Sequence, residues 1–177
     1  MSAEVGVSIE QMLIARERRA DRQAAALARF QKPVLSVTVV MPGPVKDGWL
    51  PRRILNEALQ ALDALAGARG WPILSRDVLW QATGPEALYV MDAAPGILKA
   101  AMIELEDHHP IGRLWDLDVL ASEQGQLSRR DLGVPARQCL VCDQPAHACG
   151  RSRRHPLEAV LTTIQEMVHE YDARATA

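Results

Sequence analysis

Residues 114–121 alternate between apolar and polar side chains: Trp115, Leu117 and Val119 fall on one register, Asp116 and Asp118 on the other. Successive side chains of a β-strand point to opposite faces, so this segment reads as a strand that buries its apolar register and holds both carboxylates together on the opposite face. A half-buried strand cannot stand alone, and the rest of the chain supplies the pieces of a sheet. Residues 34–40 form a β-branched, apolar run ended by Pro42-Gly43-Pro44, and residues 52–68 repeat a helical period through Leu55, Leu59, Leu62 and Leu65. Residues 71–82 and 87–91 read as strands joined across Thr83-Gly84-Pro85, and residues 95–108 as a helix. That order, β-α-β-β-α-β, is the ferredoxin-like one.

Helices flank this core. Ser8-Ile9-Glu10-Gln11 is a capping box that opens a helix to about residue 30, with Ile9, Met12, Leu13, Ala20, Ala24 and Leu27 as its apolar stripe. His155-Pro156 opens a last helix whose Leu157, Val160, Leu161, Ile164, Val168 and Tyr171 share one stripe. Gln124-Gly125 turns the chain back after the D-x-D strand, and residues 131–155, with Pro135, Pro145 and Gly150, read as mostly irregular. The expected class is α+β: one domain over residues 1–177, residues 1–7 flexible, with a ferredoxin-like core between N- and C-terminal helices.

Two carboxylates on one strand face suit a hard divalent cation. Magnesium takes one or two carboxylates and completes its shell with water and phosphate oxygens, so Asp116 and Asp118 are candidate ligands of a phosphoryl-transfer site. A solvent-facing pair on an ordinary strand is the other reading. Residues 86–123 carry eight acidic side chains against two basic ones, whereas residues 128–155 carry six arginines against two aspartates. The arginine fork matches phosphate oxygens, which makes Arg113, Arg129, Arg130 and Arg137 candidate ligands of a polyanion beside the metal; a solvated basic loop is the alternative. Lys46 follows Pro42-Gly43-Pro44 at a strand end and could approach a phosphate, although that string serves equally as a rigid turn. Glu104 and His109, just upstream of the D-x-D, are candidate proton acceptors, and His108 and His109 suit equally the polar end of a helix. Cys139-x-x-Cys142, followed by His147 and Cys149, has the donor composition of a structural zinc (Zn2+) site in a spacing that is not standard; buried thiols are the alternative.

Several of these motifs stand in a fixed order: Gly112-Arg113-Leu114-Trp115-Asp116-Leu117-Asp118-Val119, then Ser128-Arg129-Arg130-Asp131, then Arg137-Gln138-Cys139-Leu140-Val141-Cys142, then Cys149-Gly150-Arg151-Ser152-Arg153-Arg154-His155. Upstream stand Ala15-Arg16-Glu17-Arg18-Arg19-Ala20-Asp21-Arg22-Gln23 and Val39-Val40-Met41-Pro42-Gly43-Pro44-Val45-Lys46-Asp47. From about residue 8 to about residue 172 this order resembles the citrate lyase holo-acyl-carrier-protein synthase family. One departure is Gly150, where alanine is the more usual residue.

The resemblance implies a nucleotidyltransferase-type enzyme. It would move a 2'-(5''-phosphoribosyl)-3'-dephospho-CoA group from its 5''-triphosphate precursor, triphosphoribosyl-dephospho-CoA, to a serine of the apo acyl carrier protein subunit of citrate lyase, releasing diphosphate. On that view Mg2+ sits on Asp116 and Asp118, the arginines hold the triphosphate, and Arg16, Arg19 and Arg22, on one face of the first helix, steer an acidic carrier protein. A solvated helix face accounts for those three arginines equally well.

Two rival functions remain at this point: a non-catalytic, zinc-stabilised module that uses its arginines on a carrier protein or RNA, and the related transferase serving malonate decarboxylase. The second is disfavoured by the lack of a Gly-Ser nucleotidyltransferase signature before the paired aspartates. A formal net charge of −2 argues against a general nucleic-acid binder. The first seven residues contain Glu4 and no apolar stretch of signal-peptide type, no apolar run approaches membrane-spanning length, and three cysteines fit a reducing compartment. The expected location is the cytoplasm, with neither membrane nor nucleic acid as partner.

Overall fold

A computed structural model of the chain describes residues 6–175. The flexibility expected of residues 1–7 therefore falls, for residues 1–5, outside the described residues; Val7 is tied down, its N–H donating to the Pro44 carbonyl at 2.9 Å. The elements run α1 (Ile9–Phe30), β1 (Val34–Val39), α2 (Trp49–Arg69), β2 (Ile73–Leu79), β3 (Glu86–Met91), α3 (Pro95–His108), β4 (Trp115–Ala121), β5 (Gly125–Leu127), α4 (Ala146–Ser152) and α5 (Leu157–Ala175). The five strands form one sheet in the order β2-β3-β1-β4-β5, with every neighbouring pair antiparallel. Its first four strands, with α2 and α3 as crossovers, are the ferredoxin-like arrangement expected from the sequence, and β5 extends the edge as a short hairpin through Gly125 at φ +67°.

The two faces of the sheet are covered differently. Leu35, Val37, Tyr89, Trp115, Leu117 and Val119 point to one side and pack against Ile54 and Leu62 of α2, Leu98 and Met102 of α3, and Ile164 and Val168 of α5. Each such side chain contributes about 1.5–3 kcal/mol on burial, which makes this layer the main stabiliser of the fold. The Trp115 indole N–H also donates to the Ile54 carbonyl at 3.1 Å, satisfying the one polar atom the ring brings inside. On the other side Val34, Leu88, Val90 and Leu120 pack against α1, through Ala26, Leu27 and Phe30.

Helix α1 opens with the expected capping box: Ser8 Oγ accepts from the Gln11 N–H at 3.1 Å and Gln11 Oε1 from the Ser8 N–H at 2.8 Å. Its apolar stripe departs from expectation. Ile9 and Leu13 are 82 % and 53 % exposed, and Ala20 and Ala24 also face outward. The inward line is instead Ala15, Arg19, Arg22, Ala26 and Leu27. The reason lies in the sheet, where β3 begins with Glu86, only 3 % exposed, whose carboxylate takes Arg19 Nε at 2.6 Å and Arg22 Nη2. A helix lying over a buried carboxylate must turn guanidinium groups inward, because an unpaired buried charge costs far more than an exposed leucine.

Two boundaries also differ. β2 is shorter than residues 71–82, because the Trp71 N–H closes the end of α2 on the Ala66 carbonyl and residues 81–84 turn, Gly84 N–H to Gln81 O. The segment 131–155, expected to be mostly irregular, is mostly so, and contains α4 and a bridge pairing Gln138 with Pro145.

Candidate functional site

β4 presents its carboxylates as the alternation requires. In the antiparallel register Asp116 lies opposite Thr38 and Asp118 opposite Ser36, while Thr38 is opposite Glu86 on its other side. Glu86 and Asp116 therefore belong to one cross-strand row about 10 Å apart, two strand spacings, and the α1 arginines on Glu86 overlook the same sheet face as the D-x-D. Burial pushes the Asp118 carboxyl above the usual carboxylate range, Asp116 adds to the rise, and Lys99 and Gln126 oppose it. Lys99 itself is buried and donates from Nζ to the Leu117 carbonyl at 2.9 Å.

Next to Asp116 opens a cavity of about 1010 Å³. Its floor is the end of β1 and the following loop (Val40, Pro42, Gly43) with Arg113 and Asp116; its walls are residues 137–140, α4 and the first turn of α5. Three guanidinium-bearing residues, Arg113, Arg137 and Arg153, line it together with one carboxylate, so the cavity favours an anion at its polar end, while Leu140, Leu157 and Val160 supply an apolar wall. Gly43, at φ +80°, lets the loop meet α5: a Cβ there would lie 2.9 Å from Leu157 Cδ2.

The wall is fastened to β4 by two of these arginines. Arg137 donates from Nη1 to Asp116 Oδ1 at 2.5 Å and from Nη2 to the Trp115 and Arg113 carbonyls at 2.6 and 3.1 Å. Arg113 in turn donates from Nη2 to the carbonyls of Gln138 and Cys139 at 2.8 and 2.5 Å. Residues 137–146 form a small hairpin, Cys139 N–H to Gln144 O at 2.7 Å and Ala146 N–H to Arg137 O at 2.8 Å. It carries Cys139 and Cys142 towards Cys149 of α4 and His155. The donor atoms of these four residues all lie within 4.8 Å of one another, a group that could bind a metal. This corrects the expectation that His147 accompanies the three cysteines: His147 lines the cavity, and the imidazole within reach of the thiols belongs to His155.

Other expected site residues are placed elsewhere. Arg129 is held by Asp107 through both guanidinium nitrogens, at 3.0 and 2.8 Å, and by the buried Glu106 at 2.7 Å, while Glu106 also accepts from the Leu117 N–H at 2.8 Å. Arg130 is exposed on the 3-10 turn Arg130–Leu132. Lys46 closes its own loop, donating from Nζ to the Met41 carbonyl at 2.5 Å, and burial and the nearby Arg16 lower its pKa. Glu104 is exposed on α3, and His109 lies against the Trp115 ring, 4.5 Å between centroids, on the side of the sheet covered by α2, α3 and α5. Neither Glu104 nor His109 is brought to the carboxylate face, because Trp115 and Asp116 are neighbours on a strand and point in opposite directions. Nothing in the sequence distinguishes Arg153 from Arg151 and Arg154; its place in the cavity follows from the left-handed cap it provides for α4, at φ 48°.

The sequence profile described as apo-citrate lyase phosphoribosyl-dephospho-CoA transferase matches residues 7–171. The chain belongs to that family. A relative of that name from Escherichia coli O7:K1 (strain IAI39 / ExPEC) is 46 % identical over 167 residues, covering 94 % of this chain and 91 % of the relative. Another from Citrobacter koseri is 45 % identical over the same shares. The match to the family spans the D-x-D strand, the cysteine hairpin and most of α5, so every wall of the cavity lies inside it. Relatives named for citrate lyase leave neither the malonate decarboxylase transferase nor a non-catalytic module favoured. Among the described residues no helix is long and apolar enough to cross a membrane.

Proposed function

We propose that this chain transfers the phosphoribosyl-dephospho-CoA group from its 5''-triphosphate precursor to a serine of the apo acyl carrier subunit of citrate lyase. The observation that carries the reading is Asp116 at the rim of an arginine-lined cavity, on one strand face with Asp118. In the transfer, the carrier's serine oxygen bonds to the phosphorus next to the ribose, the bond to the departing diphosphate breaks, and the serine proton passes to solvent water. No enzyme serine needs activating, so the protein's work is positioning and charge.

Arg113, Arg137 and Arg153 meet the polyphosphate, and the apolar wall takes less polar parts of the precursor. Mg2+ fits Asp116 and Asp118: both are half-buried carboxylates on one strand face, Asp116 lines the cavity, and burial, with a smaller push from Asp116, raises the Asp118 pKa, so a cation between the two would be favoured. When bound there it would supply charge neutralisation at the phosphate. The outward face of α1 is the docking surface for the carrier: Ile9 and Leu13 are exposed apolar contacts and Arg16 an exposed cation, with Arg19 and Arg22 anchoring the helix beneath. Reduced thiols are consistent with a cytoplasmic setting.

Asp116→Asn and Asp118→Asn test the reading. With apo carrier and precursor, intact-mass measurement of the carrier should show transfer about a hundredfold slower or worse, since a metal-ligating charge supplies several kcal/mol to the transition state. The circular dichroism of both variants should match wild type. Wild-type rates in both would remove the aspartates from the mechanism.

A further inference from the structure

We propose that Cys139, Cys142, Cys149 and His155 form a closed tetrahedral zinc site, and that the metal clamps the hairpin, α4 and the turn that precedes α5 to one another. The proposal is independent of the transfer reaction.

The geometry is that of a coordination polyhedron. With Zn–S near 2.3 Å and Zn–N near 2.0 Å, a tetrahedral centre sets S···S edges of about 3.8 Å and S···N edges of about 3.5 Å. Cys142 Sγ lies 3.6 Å from Cys149 Sγ and 3.3 Å from His155 Nε2, and the four donor atoms are mutually within 4.8 Å. The backbone around Cys139 is shaped for a thiolate, with the Val141 N–H directed at its Sγ at 3.5 Å. Three sulfurs and one imidazole select zinc over hard cations, and four protein donors leave no open position for a substrate, which marks a structural rather than a catalytic metal.

Energetics say why a clamp is needed. Of residues 137–155 only Cys149 is buried, so apolar packing cannot order a stretch whose backbone costs about 1–2 kcal/mol per residue to fix. Structural zinc contributes about 10–16 kcal/mol in small peptides. The four ligands come from three places, the hairpin, α4 and the turn before α5, and a bond to each from one ion fixes them relative to one another. The cavity wall made by the same residues is then a product of metal binding.

The experiment uses the full chain, reduced, with elemental analysis after zinc loading and dialysis. Wild type and His147→Ala should each retain one zinc per chain, and His155→Ala and Cys149→Ser should retain less. Cobalt in place of zinc should give the visible absorption of a tetrahedral thiolate centre. In hydrogen exchange, stripping the metal should speed the amides of residues 137–155 by about tenfold or more while those of β1 and β3 keep their protection, which also verifies that each variant is folded. No retained zinc in folded wild type, an octahedral cobalt spectrum, loss of metal from His147→Ala but not from His155→Ala, or unchanged exchange on stripping would each overturn the proposal.

Discussion

A Cβ built on Gly112 would lie 2.1 Å from the Leu105 carbonyl oxygen and 3.0 Å from that of Glu106. The 3-10 turn Gly112–Leu114, which leads directly into β4, is thus pressed against the backbone end of α3, and no side-chain movement can relieve the contact. Gly112→Ala should lower stability by about 3 kcal/mol in urea unfolding, in the range of a backbone-shifting overpacked site; a loss under about 1 kcal/mol would show that the turn can move. The adjacent arginines separate in the same way. Arg129 neutralises Glu106, which is 4 % exposed, and holds the Asp107 carboxyl below its usual range through a side-chain hydrogen bond. Removing it strands a buried charge, so Arg129→Ala should cost about 3–5 kcal/mol of stability, whereas Arg130→Ala should stay within about 0.5 kcal/mol. A stable Arg129→Ala protein that binds the triphosphate precursor more weakly would return Arg129 to the ligand set.

Helix α1 shows how one element divides its charges by face. Arg19 and Arg22 serve Glu86 beneath, while Arg16 is exposed on the side of Ile9 and Leu13 and Arg18 is exposed on the opposite flank. Reversing Arg16 and Arg18 to glutamate should slow carrier association and flatten its dependence on ionic strength, leaving unfolding unchanged. Arg19→Glu with Arg22→Glu should destabilise the protein itself, because Glu86 would face two like charges. A salt series of transfer rates at limiting carrier decides the first point, and an unchanged slope would move the carrier off α1. β4 obeys the same division by face: its apolar register builds the core, and its aspartates lie on the other face, Asp116 lining the cavity.

Across the whole molecule, α2, α5 and the end of α3 are joined by one polar cluster. Glu57 accepts from Tyr171 Oη at 2.5 Å and from Arg53 at 2.8 Å, Arg53 reaches Asp172 at 2.6 Å, and His109 lies between the Trp115 and Tyr171 rings. Burial pushes the Glu57 carboxyl up, but the hydrogen bonds from Tyr171 and Arg53 outweigh it and hold the carboxyl below its ordinary 4.5; burial lowers His109 below 6.5 against the pull of Glu57. Both folded values are depressed, so both groups stabilise the fold fully above their ordinary values and lose that contribution as pH falls through the folded ones. Stability should therefore decline from about pH 6.5 downward, first through His109 and then, below about 4.5, through Glu57. His109→Phe should flatten the first part of the urea-midpoint profile and Glu57→Gln the second; identical profiles in all three proteins would exclude the cluster as the source.

Periodicity alone determined much of this molecule. The switch between a period of two and one of 3.6 sets the order of strands and helices, and the capping box at Ser8 and the D-x-D register on β4 need only local backbone geometry. What a residue faces across space is another matter. The stripe of α1 cannot be recovered without Glu86 beneath it, Arg129 resembles a phosphate ligand until Glu106 is placed against it, and His109 flanks the site in the chain while lying across the sheet from it. His155 rather than His147 joins the three thiols for the same reason: donor atoms must meet at one point, and the path of the chain through the hairpin, α4 and its left-handed cap at Arg153 decides which imidazole arrives. Local sequence encodes direction and period, whereas pairing of charges and donors depends on distances between segments far apart in the chain, and these exist only once the core has folded.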